Sequence, residues 1–158
     1  MATIKKTPGA QYVLAADFTF GYTTGGSDGV NSDSMLNTAA PQVLTAFSAA
    51  AGTTYDVLNL PYNAQIVGGD LDVITPVGTT ATATVSVGDS GNAARYLGAT
   101  SIKAAGRTAL VPTGYIGAGE PLRLTIANAD GTGTAGQAKV TILFTIKNRV
   151  NENLKTQP

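Results

Sequence analysis

The chain contains no cysteine, no histidine and no tryptophan. Without cysteine there are no disulfides and no thiol nucleophiles, and either redox poise is tolerated, so stability has to come from packing or from neighbours. Without histidine no imidazole serves as a general base near neutral pH or ligates zinc, copper or non-haem iron. That absence removes most hydrolase mechanisms. Charge is also scarce. Charged residues make up 13% of the chain, ten Lys and Arg cancel ten Asp and Glu, and neither sign forms a long run. The broad positive field that nucleic-acid binding needs is therefore missing. No apolar run approaches the roughly eighteen residues of a spanning helix, and the N-terminal MATIKKTPG lacks the apolar core of a secretory signal. These absences lead to the expectation of a soluble protein made in a cytoplasm, with no nucleic-acid partner, no membrane and no cofactor.

What is present reads as strands. At 158 residues the chain suits one domain, and a domain of that size buries roughly 68–70% of the surface its unfolded chain exposes. Apolar residues reach 43%, with Gly, Ala and Thr abundant, the composition of short strands joined by tight turns rather than of a helical bundle. From Tyr55 to Gly91 three successive antiparallel strands are expected. Leu71 and Val73 alternate with Asp70, Asp72 and Ile74, and Ala81, Ala83, Val85 and Val87 alternate with Thr82, Thr84 and Ser86. Period two puts one face inward and one in water. Further strands are expected over Tyr12–Phe20, Val43–Phe47, Arg107–Val111, Pro121–Ala127 and Gln137–Asn148, about eight in all. A helical turn or two is credible only at Ala93–Leu97 or within Thr45–Ala51. The pattern predicts an all-β, jelly-roll-like antiparallel sandwich over residues 12–148. Flexible arms at 1–11 and 149–158 and a long surface loop from Gly21 to Gln42 complete the expectation. Core candidates are Leu122, Leu124, Ile126, Val140, Ile142, Phe144 and Ile146.

Several motifs invite chemistry and yield to plainer readings. Gly88-Asp89-Ser90-Gly91 copies the letters around a serine-protease nucleophile, but no histidine exists to take the serine proton, and the tetrapeptide reads as a turn after a strand. Asp70 and Asp72 share a strand face, as a glycosidase carboxylate pair would. With no Trp and 6% aromatics to line a sugar cleft, a solvated face or an ion pair between subunits fits better, Arg107 or Arg123 being the candidate partners. The Ser27–Asp33 loop offers oxygen ligands for calcium without EF-hand spacing. In PTGYIGAGEP, no Lys-Ser/Thr follows the glycines, so it is a loop and not a phosphate cradle. Its apex, Tyr115 and Ile116, is either folded back over the sandwich end or offered to a neighbour. Leu143 lies on the water-facing side of the last strand with Thr141, Thr145 and Lys147, and marks a partner surface.

The succession Asp56-Val57-Leu58-Asn59-Leu60-Pro61, Ala64-Gln65-Ile66-Val67-Gly68-Gly69-Asp70-Leu71 and Ala83-Thr84-Val85-Ser86-Val87-Gly88-Asp89, followed by Arg95-Tyr96-Leu97, resembles the head decoration, or cement, proteins of tailed bacteriophages. The similarity spans roughly residues 55–128, with Val140–Lys147 as the closing strand. It implies a non-enzymatic jelly-roll domain that assembles as a homo-oligomer, commonly a trimer, on the capsid exterior and bridges major capsid protein subunits. The interface candidates are then Leu143, Tyr115, Ile116, Asp70, Asp72, Arg107 and Arg123. Two rival readings stand beside it. One is a receptor- or carbohydrate-binding module stacking sugars on Tyr115, Tyr22 and Tyr62; the other is a hydrolase using Asp70 and Asp72.

Overall fold

Alternation of β-branched or aromatic residues with small polar ones drives the chain into strands. The computed structural model describes residues 12–21, 42–43, 52–78, 82–128 and 135–147. Among them are ten strands and no helix: β1 (Leu14–Gly21), β2 (Gln42–Val43), β3 (Thr53–Asn59), β4 (Tyr62–Thr75), β5 (Ala83–Gly88), β6 (Leu97–Ser101), β7 (Gly106–Ala109), β8 (Ile116–Ala118), β9 (Pro121–Asn128) and β10 (Gln137–Ile146).

The pairing is nested. β5 pairs with β6, β4 with β7, β3 with β9 and β1 with β10, all antiparallel. The chain is thus one long hairpin that returns on itself between β5 and β6. Rolling that hairpin brings β10 against β4 and β9 against β5, which joins the four ladders into two sheets. One runs β2-β1-β10-β4-β7 with β8 also on β4, and the other runs β3-β9-β5-β6. Two sheets holding eight rolled strands are a jelly roll. The two strands beyond the expected eight are β6 and β8; β2, parallel to β1, and β8, on the margin of β4, are short additions to the roll.

The core lies between the sheets. On β9, Leu122, Leu124 and Ile126 are wholly buried, and from β10 Val140, Ile142 and Phe144 face them. Ile146 packs against this core while partly exposed. Phe18 and Phe20 of β1 lie at one end, ring centroids 6.1 Å apart. Strand β4 would lose its inward face over 14 residues if it ran regularly, because its buried residues change parity from Ala64 and Ile66 to Leu71 and Val73. A bulge solves this. Leu143 pairs with Gly68 and Phe144 with Ile66, so Val67 is the extra residue, and one inserted residue returns both halves of the strand to the core.

Three sequence expectations need correction. The strands of the Tyr55–Gly91 stretch exist, yet none pairs with another, because β3 and β5 belong to one sheet and β4 to the other. Ala93–Leu97 is not helical. The Asn92 carbonyl accepts from the Asp89 and Arg95 amides and its side chain from Ala94, and the Tyr96 amide then turns to the Val87 carbonyl and starts β6. Of the strand expected from Thr79, residues 79–81 lie outside the described residues, Thr82 is not in a strand and β5 begins at Ala83. Thr45–Ala51, the loop residues 22–41 and both arms lie outside the described residues. For Val43–Phe47, only Val43 is described, in β2.

Leu124→Ala should lower unfolding free energy by about 2–5 kcal/mol, the range for emptying a buried leucine site. Leu143→Ala, on the outer face, should cost under about 1 kcal/mol. Urea unfolding of both variants measures the contrast.

Candidate functional site

Three clusters of side chains stand out on this frame. The first is the outer face of the β1-β10-β4-β7 sheet. Cross-strand rows on it read Ala15–Leu143–Gly68, then Asp17–Thr141–Asp70–Ala109, then Thr19–Lys139–Asp72–Arg107. The face is divided. Near the start of β1 it is apolar, with Val13 (56% exposed), Leu143 (38%), the bulged Val67 (40%) and, across Gln65 on β8, Ile116 (46%). Toward the end of β1 it carries the ionic groups, with Ile74 (48% exposed) following Asp72 on β4. Four exposed large apolar residues thus share one end of this face.

In the ionic half Arg107 meets Asp70 and Asp72. Arg107 Nη2 lies 2.6 Å from Asp70 Oδ2, and its Nε 4.0 Å from Asp72 Oδ2. The guanidinium reaches both carboxylates from the neighbouring strand, so Arg107, one of the two candidate partners, meets the acids within the chain. Asp70 Oδ1 is covered and takes no hydrogen bond among the described residues. One Asp70 oxygen is thus covered and the other is held by Arg107. Arg123 belongs elsewhere. It pairs with Asp56 across β9 and β3 on the outer face of the other sheet, beside a small hydroxyl surface where Thr54 and Thr125 touch at 3.1 Å.

The third cluster is buried, at the return of the hairpin. Asp89 is almost wholly covered. Its Oδ1 accepts from the amides of Gly91 and Asn92, both at 2.9 Å, and both oxygens accept from Arg95 through Nη2 and Nε. The chain closes here too tightly for a side chain at position 88, where a methyl would collide with the Asn92 and Ala93 carbonyls. Arg95 stacks on Tyr115, with Cζ 3.7 Å from the ring centroid, and the Tyr115 hydroxyl donates to Glu120, which also accepts from the Ala118 amide. Tyr115 is therefore folded back, with one ring face under a guanidinium, which takes that face from the sugar-stacking role. Tyr62 is well exposed, and Tyr22 and the Ser27–Asp33 loop lie outside the described residues.

Electrostatics follow from these contacts. Burial alone would push the Asp89 carboxyl up, but the Arg95 hydrogen bonds and the two amides outweigh it and hold it below its ordinary 3.8. The same carboxylate raises Arg95. Burial raises the adjacent Tyr96 to about 12. The bond to Glu120 raises Tyr115, and the bond from Tyr115 lowers Glu120. The sequence reading of Gly88–Gly91 as a turn with Asp89 bonding the backbone holds; the roles of Arg95 and Glu120 were missed. The available signal was an Asp followed by Gly and Asn at positions suited to Asx bonding, with an Arg six residues on. Among the described residues no group of three or more His, Cys, Asp or Glu is placed to hold a metal ion.

Asp89→Asn should destabilise the fold by about 2–4 kcal/mol at neutral pH, because Arg95 is then left partly buried without a counter-charge. The folded carboxyl titrates below the unfolded one, so the difference from the parent protein should be full above about pH 3.8 and shrink as pH falls through the folded value. Denaturant unfolding at a series of pH values checks both. Arg107→Met should cost no more than about 1 kcal/mol in the same assay, as suits an exposed ion pair.

No protein-family model and no curated protein matches the sequence. Solved structures do. A chain of the capsid asymmetric unit of cyanophage Pam1 superposes with a TM-score of 0.59 at 19% identity, covering 92% of this chain and 93% of that one. A chain of the acid-stable capsid of Helicobacter pylori bacteriophage KHP30 gives 0.50 at 16% identity over 85% and 86%. At such identities the likeness establishes a shared fold, the two-sheet roll described above.

Proposed function

We propose that this chain is a structural virion protein of a tailed bacteriophage, a capsid cement that binds the outside of the mature icosahedral head, bridges major capsid subunits and works as a trimer without transforming any substrate. The observation that carries the reading is the divided outer face of the β1-β10-β4-β7 sheet, an apolar half beside an ionic one, on a roll whose solved likenesses come from phage capsids. The residue patterns of Asp56–Pro61, Ala64–Leu71 and Ala83–Asp89 support it independently.

The physics suits such a role. A ligand that binds only the expanded lattice stabilises that lattice by mass action. Several copies around a symmetry axis raise the effective concentration of each contact, so one modest apolar patch per copy is enough. In this reading Leu143, Val13, Val67 and Ile116 supply the desolvated centre of the contact, while Asp70, Asp72 and Arg107 form its polar rim.

Mixed with expanded, undecorated heads, the purified protein should sediment with them, and light scattering of the free protein should give a trimer mass. Leu143→Glu, which places a charge in the apolar half without touching the core, should weaken head binding at least about tenfold. Failure of the parent protein to sediment with heads, or undiminished binding by Leu143→Glu, contradicts the proposal.

A further inference from the structure

The segment from Pro112 to Gly119 is held to the roll by few backbone bonds. Leu110 and Val111 enter it through backbone bonds to Gly69 and Tyr96, at 3.0 and 2.8 Å. Beyond Val111, Pro112, Thr113 and Gly114 are exposed and add no backbone bond to a sheet among the described residues. Strand β8 meets β4 at two positions only, Gln65↔Ile116 and Tyr62↔Ala118, with an irregularity between them. The side chains hold the rest. Tyr115 lies between the Arg95 guanidinium on its face and the Glu120 carboxylate at its hydroxyl, and Glu120 also fixes the Ala118 amide. Gly114 and Gly119, with φ of +75° and +90°, bracket this piece in a region that glycine enters freely and other residues do not.

We propose that Pro112–Gly119 is a latched strap: it opens and closes as one piece over the hairpin return, pivoting at Gly114 and Gly119, with Tyr115 as the bolt between Arg95 and Glu120, while the eight-strand roll stays folded. Closed, the strap covers the Tyr62–Gln65 margin of β4. Open, it bares that margin to pairing with a strand of another chain, the hazard and the opportunity of any free sheet edge. The inference does not depend on the capsid reading, since it concerns how the chain guards its own edge.

The latch keeps its charges over a wide pH span. The groups facing Tyr115 are Arg95, Glu120, Asp89 and Tyr96. Asp89 and Glu120 are both held below their ordinary values, and Tyr115 above its ordinary 10.0. Loss of the latch by titration therefore falls outside the range between the usual carboxylate and tyrosine values.

Hydrogen exchange on the full chain, read by mass spectrometry, tests the strap. Tyr115→Phe removes the bond to Glu120 and keeps the ring under Arg95. Exchange protection over 111–119 should fall roughly tenfold, while β9 and β10 keep theirs and the urea midpoint stays close to that of the parent. Tyr115→Ala should loosen the strap further. In the parent protein, strap protection corrected for intrinsic exchange should be the same at about pH 5 and about pH 8. Equal loss of protection in β9, β10 and the strap would show that the segment belongs to the global unit. Unchanged strap protection in Tyr115→Phe would show that Tyr115 bolts nothing. Either result overturns the proposal, and neither bears on head binding.

Discussion

A single carboxylate closes the hairpin around which this protein is wound. Four ladders of the roll are nested, from β5–β6 outward to β1–β10, and the return at Asp89 lies at the centre of the nest. A buried acid is costly unless its acceptor capacity is used. Here it is used: two amides and a guanidinium converge on it. The same guanidinium reaches on to Tyr115, and through it to Glu120. The return of the hairpin, the segment after β7 and the turn before β9 are thereby tied by one chain of four side chains, in a protein with no disulfide available for the task.

The second constraint is the bulge at Val67. It keeps Ala64 and Ile66 as well as Leu71 and Val73 in the core, and it also sorts the opposite face. On one side of the bulge the outward residues include Val67, Leu143 and Ile116; on the other they include Asp70, Asp72 and Arg107, with Ile74 beyond them. A core requirement and a surface pattern thus come from one inserted residue. The two halves then take different tasks. Arg107 reaches both acids within the chain, and the apolar half has no covering partner among the described residues, which is why a docking role is proposed there and not at the acids.

Much of the fold could be read in advance because period two is a local property. The alternation of Leu122, Leu124 and Ile126 and of Val140, Ile142 and Phe144 specifies which side chains go inward, and all six are buried. Neighbourhood is not local, so the same alternation could not say that β3 and β5 flank β9 while β4 crosses to the other sheet. β6 and β8 escaped notice because Leu97–Ser101 and Ile116–Ala118 are short and rich in Gly and Ala, with too few large residues to display a period. Of the interface candidates, Leu143 and Ile116 do lie in the apolar half, whereas Arg123 faces out from the opposite sheet and Tyr115 is engaged inside the chain. The bolt itself was illegible: positions 89, 95, 115 and 120 meet only once the roll has closed.

Whether this polypeptide acts by shape on a shell is decided by an electron cryo-microscopy map of expanded heads to which the purified protein has been added. The account predicts density for the two-sheet roll on the outer surface, in threes, with Leu143 and Val67 turned toward the shell. Heads that remain bare, or rolls seated with that face toward solvent, would contradict it.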